Sequence, residues 1–104
     1  MTRPAVKLTV VVERMLKPAV ERLLTEAGIT GWSVFPGGGH GAHGLHRAEA
    51  AQLVREFAIV KIEAVLRDRA TAERIAERLT TEYLAEQSGI VWMSSVEVWR
   101  AAKF

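Results

Sequence analysis

There is no cysteine among the 104 residues. That absence excludes disulfides and thiolate chemistry and fits a reducing compartment. No apolar run approaches the roughly 18 residues of a membrane span, so membrane contact is expected only through a partner. Nor does charge of one sign dominate. Fourteen Lys and Arg face twelve Asp and Glu, a net +2, and the two signs are interleaved along the chain. A nucleic-acid binder would cluster its basic residues, so nucleic acid is not an expected partner. The start, Met1-Thr2-Arg3-Pro4, carries no secretory pattern, and the chain reads as cytoplasmic. What is present is ordinary for a globular protein: 49% hydrophobic and 25% charged residues. The length suits one domain with a single core.

Five of the eight glycines fall between positions 37 and 44, in Gly37-Gly38-Gly39-His40-Gly41-Ala42-His43-Gly44. Two readings fit. One is a mobile hairpin loop. The other is a cradle of backbone N–H groups for an anion such as phosphate, which glycine permits because it has no Cβ. The flanking chain has to decide between them. His40, His43 and His46 are spaced by three. A Gly-rich loop does not preorganise them, and no Cys or Asp joins them, so no metal site is expected. His40 is expected instead as a hydrogen-bond partner for phosphate or bicarbonate.

Residues 6–12 alternate, with Val6, Leu8, Val10 and Val12 on one face, which predicts a strand. Leu16, Val20, Leu23 and Ala27 draw an apolar stripe that predicts a helix over 13–27, with Glu21, Arg22 and Glu26 outward. Pro18 belongs in its first turn, and Gly28 is placed to end it in a left-handed cap. Residues 31–35 form a short second strand. Nothing from 37 to 56 resembles a strand, although 47–56 has helical composition. Residues 57–66 form a third strand, with Ala58, Val60, Ile62, Ala64 and Leu66 on its apolar face. Lys61 and Glu63 lie on the other face. They are either a solvated pair or charges covered by another subunit. Thr71 is expected to cap a second helix over 72–85, with Ile75, Ala76, Leu79 and Tyr83 inward. Gln87-Ser88-Gly89 makes a turn, residues 90–99 form a fourth strand, and a short tail follows. Trp92 and Trp99 are expected in core or interface rather than as a stacking platform.

The order is strand-helix-strand, long loop, strand-helix-strand. This predicts an α+β, ferredoxin-like βαββαβ sandwich: one antiparallel sheet with both helices on one face. The bare face would show Val11, Phe57, Ile59 and Val65. A homo-oligomer that packs sheet faces together would cover it.

At this point the sequence resembles the PII signalling proteins. The resemblance rests on residues 26–34 (Glu-Ala-Gly-Ile-Thr-Gly-Trp-Ser-Val), the position and length of the loop, Val60-Lys61-Ile62-Glu63, and the segments 89–91 and 95–97. It is closer to the PII-like subgroup associated with carboxysomes and bicarbonate transporters. Shared with that subgroup are the Gly-Gly-His-Gly run, the compact turn at 87–89 and the ending Arg100-Ala101-Ala102-Lys103-Phe104. The resemblance implies a single PII-like domain over 1–104 with a flexible regulatory T-loop at about 37–56. It implies a homotrimer that binds adenine nucleotides in clefts between subunits, with no catalytic residues and no cofactor. Carried over residue by residue, Gly31 and Ser33 would contact the ribose region, and Gly38, Gly39, His40 and Gly41 would cradle phosphate. Glu63 and Val65 would frame the base, Gly89 would line the opposite wall, and Arg100 and Lys103 would offer positive charge.

Departures from the family narrow the ligand. Where PII proteins place an Arg at the loop base, this chain has Ala42 and His43, and the second loop has shortened and lost its Lys. Less positive charge favours AMP, ADP or cyclic AMP over ATP with Mg²⁺. The loop has no tyrosine for uridylylation, and the 2-oxoglutarate response is put in question. The subgroup implies bicarbonate as a second ligand and a bicarbonate transporter or other carbon-uptake protein as partner, with recruitment to the inner membrane face or the carboxysome. Two alternatives share the fold: a small phosphatase or nucleotide hydrolase, for which the loop lacks a nucleophile, and a trimeric metal-tolerance protein.

Overall fold

The computed structural model describes residues 1–39 and 58–100. Its elements in chain order are β1 (Arg3–Glu13), a 3-10 turn (Arg14–Leu16), α1 (Lys17–Glu26), β2 (Ser33–Gly37), β3 (Ile59–Leu66), α2 (Arg69–Glu82) and β4 (Gly89–Val98). The strands form one sheet in the order β2-β3-β1-β4, with every neighbouring pair antiparallel. This is the expected ferredoxin-like arrangement.

Alternation along β1 and β3 settles which face is covered. Val6, Leu8, Val10 and Val12 of β1 pair with Leu66, Ala64, Ile62 and Val60 of β3, and all eight are buried. Against them lie Val20, Leu23 and Leu24 of α1 and Ala72, Ile75 and Leu79 of α2. A fully buried leucine or isoleucine side chain contributes about 1.5–3 kcal/mol relative to leaving it in water. This single layer of branched side chains therefore carries most of the stability.

Element boundaries differ from the sequence expectation in several places, each for a local reason. Glu13 is extended (φ −64°, ψ 147°), so α1 begins only after the 3-10 turn, which leaves Pro18 in the helix's first turn. Ala27, expected in the inward stripe, sits just past the helix end and is exposed. Gly28 then takes φ +85°, and its N–H donates to the Thr25 carbonyl at 3.0 Å, the expected left-handed cap. β2 starts at Ser33 and runs on through Pro36, which an edge strand tolerates because proline's missing N–H need not pair. α2 starts at Arg69, and its cap is Asp68 rather than Thr71. The Asp68 carboxylate accepts from the Ala70 N–H (3.2 Å) and from the Thr71 hydroxyl (2.7 Å). Those two bonds, the Thr71 hydroxyl first, hold its pKa below the usual carboxylate value. β4 ends at Val98, one residue short of the expected Trp99, which is exposed.

Among the described residues, no helix lies on the second sheet face. Phe35, Ile90 and Trp92 are exposed on it at 46%, 58% and 42%, beside the half-buried Val11, Ile59, Val65, Val96 and Val98. Phe57, expected on this face, lies outside the described residues. In the middle of the face Thr9 is fully buried, and its hydroxyl has no hydrogen-bond partner among the described residues.

Candidate ligand site

The strand register places the glycine run. Gly37 pairs with Ile59, Ile59 with Glu13, and Val12 with Gly89. The base of the glycine run and the turn before β4 therefore lie at the same end of the sheet. They lie on opposite edges of it, because β3 and β1 stand between β2 and β4. Three strand spacings put them about 14 Å apart across the sheet. Gly38 and Gly39 are exposed just beyond β2. A Cβ on Gly39 would come 3.1 Å from the Ile59 Cδ1, so a side chain there crowds β3. At the other edge, a Cβ on Gly89 would lie 2.8 Å from Leu84 Cδ2, 3.0 Å from Val12 Cγ1 and 3.2 Å from the Val11 carbonyl oxygen. A larger residue there would crowd Leu84 and β1. Next to it, the Gln87 side-chain oxygen is buried with no hydrogen-bond partner among the described residues, an acceptor this part of the chain leaves unsatisfied.

Gly31 and Ser33 are exposed at the entry to β2 and are fixed from behind by Trp32. The Trp32 indole N–H donates to Glu21 Oε2 at 3.0 Å, and Lys17 Nζ donates to the other oxygen of that carboxylate at 3.2 Å. The indole hydrogen bond chiefly, and Lys17 after it, draw the Glu21 pKa below its ordinary value against the opposing effect of burial. Ser33 pairs directly with Glu63, and Val65 follows two residues along the same face. Glu63 is half-buried. Lys7 Nζ lies 3.5 Å from its Oε2 and Lys61 Nζ 4.0 Å from the same oxygen. Lys61 also sits over the Phe35 ring, 5.0 Å from its centroid. The Lys61–Glu63 pair noted in the sequence is thus part of a three-charge cluster. Lys7 gave no signal of its own, because only the β1–β3 register brings it there.

The expected residues do not form one pocket within a single chain. Ser33, Glu63 and Val65 share a sheet face, and Gly38 and Gly39 continue from β2. Gly89 stands at the far edge. Arg100 is exposed just past β4, and a ten-residue strand separates it from Gly89, about 30 Å. His40, Gly41 and Lys103 lie outside the described residues, as do His43 and His46. Among the described residues, no group of three or more His, Asp or Glu is placed to hold a metal ion. A groove of about 630 Å³ runs between α2 and β4, with Val91 and Met93 in its wall, but none of the glycines lines it. No helix among the described residues is long and apolar enough to cross a membrane.

A four-stranded antiparallel sheet with two helices packed on one face is a ferredoxin-like α+β sandwich, and the fold defines the class at that level. Comparison with known sequences makes the class specific: the chain belongs to the nitrogen regulatory protein P-II family, whose sequence model matches residues 5–103. Solved structures agree on the fold. A PII-like signalling protein of Thermus thermophilus superposes with a TM-score of 0.77 at 24% identity, covering 98% of this chain and 96% of that one. CPII of Thiomonas intermedia, a nitrogen regulatory PII-like protein bound to ADP, AMP and bicarbonate, gives 0.76 at 24% identity, covering 96% and 98%. The apo form of CPII gives 0.69 at 19% identity, covering 94% and 95%.

Proposed function

We propose that the protein is a non-enzymatic sensor of adenine nucleotides. In this reading AMP, ADP or cyclic AMP binds in clefts between the subunits of a homotrimer, and bicarbonate is a second ligand. One observation supports it: the base of the glycine run and Gly89 lie at the same end of the sheet but on opposite edges, so the described residues of one chain do not close around a ligand. The β2 edge of one copy set against the β4 edge of the next brings them together, and such a head-to-tail contact repeats into a closed ring. The nucleotides and bicarbonate held by CPII, a relative of the same fold, support the choice of ligand. In the composed cleft, the Gly38–Gly39 backbone, with His40 and Gly41, receives phosphate. Gly31 and Ser33 meet the ribose, Glu63 and Val65 frame the base, and Gly89 forms the opposite wall. Arg100 lies past the opposite end of β4 from Gly89, so it and Lys103 would supply positive charge from a different copy than the one whose Gly89 forms the wall.

Binding at the base of the segment that starts at Gly37 favours whichever form of that segment the ligand contacts better. Such a shift requires differential affinity between the two forms. The segment, acting as a T-loop over about 37–56, would then dock on a carbon-uptake protein such as a bicarbonate transporter. Isothermal titration with AMP, ADP, ATP and cyclic AMP, each with and without bicarbonate, tests the reading. Saturable binding with one site per chain is expected, weakest for ATP. Failure of all four to bind rejects it.

A further inference from the structure

We propose that Lys7 is a positioning residue of this site. Its ammonium group, together with that of Lys61, holds the Glu63 carboxylate so that it accepts a hydrogen bond from a donor on the bound nucleotide. The donor is either the exocyclic amine of the base or a ribose hydroxyl. The inference rests on the nucleotide reading above and adds a residue and a selectivity to it.

Register and distance carry the argument. Lys7 stands directly between Val65 of β3 and Ser94 of β4, and Thr9 stands between Glu63 and Trp92. Lys7 is therefore the diagonal neighbour of Glu63, within the reach of a long side chain. Its Nζ comes closer to Glu63 Oε2 than that of Lys61, 3.5 Å against 4.0 Å, although Lys61 lies on the same strand. The two cations approach from opposite sides. Lys61 is steadied over Phe35 towards the β2 edge, and Lys7 reaches in from β1. Beside them, directly opposite Glu63 in the register, Thr9 is fully buried. An ionised carboxylate has only acceptor sites. Fixed in this way beside Ser33, it selects ligands that present an N–H or O–H and disfavours those that present a carbonyl oxygen at the same place.

Titration calorimetry of the wild type, Lys7→Met and Lys7→Arg against ADP, inosine diphosphate and 2′-deoxy-ADP tests this. Inosine diphosphate lacks the amine and 2′-deoxy-ADP lacks a hydroxyl. Wild type should prefer ADP to one of the two analogues, and that analogue identifies the donor. Lys7→Met should weaken ADP about tenfold and leave that analogue unchanged, so the preference collapses. Lys7→Arg keeps a cation that pairs with a carboxylate and should stay within about twofold of wild type. Light scattering on each variant checks that assembly is the same. Unchanged ADP affinity in Lys7→Met overturns the role of Lys7 and leaves the nucleotide reading standing. An equal loss for all three ligands also overturns it, because that is the mark of a structural role. A wild type that binds none of the three removes the nucleotide reading and this inference with it.

Discussion

Gly89 shows how a single residue ties a candidate site to the core. Its missing side chain lets the start of β4 lie against β1, where a Cβ would meet Leu84, Val12 and the Val11 carbonyl. The two side chains can move by a few tenths of an ångström, but the carbonyl belongs to a central strand. Gly89→Ala should therefore cost about 1–3 kcal/mol in urea denaturation, as overpacking does elsewhere. A loss near zero would show that β4 shifts without resistance. Glu21 acts through a hydrogen bond instead. Its carboxylate, held by Trp32 and Lys17, has a folded-state pKa below the ordinary 4.5. A depressed pKa contributes stability that is present above the unfolded value and lost as pH falls through the folded one. Thermal unfolding followed from pH 7 down to pH 3 should show a flatter acid-side decline in Glu21→Gln than in wild type. Identical slopes would mean that the Trp32 contact does not survive in solution.

The elements owe their ends to side chains acting on backbone. Gly28 alone among the described residues takes a positive φ, and it turns the chain out of α1 towards β2. No atom lies within 4 Å of the place a Cβ would occupy, so Gly28→Ala isolates the cost of a left-handed backbone from any clash. That cost is about 1–2 kcal/mol, read as a lower denaturation midpoint with unchanged slope. α2 begins earlier than its apolar stripe because Asp68 supplies the cap and Thr71 becomes a ligand of that cap. The helices are joined on their outer side by Arg78, which meets Glu26 of α1 and Glu82 of its own helix, each at 3.0 Å. The Glu82 hydrogen bond chiefly, and Glu26 after it, raise its pKa, but the contact is solvent-exposed and of the kind that contributes little to stability.

For the whole molecule, the sheet face opposite the two described helices is the dominant fact. Phe35, Ile90 and Trp92 stand on a face that also carries the Lys7–Glu63–Lys61 cluster. Covering it with further copies would bury the aromatics and leave the cluster satisfied within each chain. Trp92 sits partway along the edge strand β4, opposite Thr9 of β1. Trp92→Glu, which would bury an unpaired charge in such an assembly, should reduce the mass measured by light scattering from trimer towards monomer. A trimer that survives the substitution would rule out packing through this face.

The sequence by itself determined the element order, the covered faces of β1 and β3, the left-handed turn at Gly28 and the family. Periodicity and glycine placement are local properties, and they remain visible along a line of residues. It named Ser33, Glu63 and the glycine run as candidates but not their relation to Gly89 or Arg100. It missed Lys7 and the tie between Trp32 and Glu21, because these depend on which strands become neighbours and in what register. It also placed the cap of α2 at Thr71, since Asp68 and Thr71 are both good capping residues and only their mutual hydrogen bond tells them apart. Tertiary structure alone decided that the base of the glycine run, at Gly37, and the turn at 87–89 share one end of the sheet on opposite edges. A one-residue slip of β3 would have turned Glu63 into the core, and one of β1 would have done the same to Lys7. The burial of Val60, Ile62 and Leu66 holds the register that keeps them on the open face.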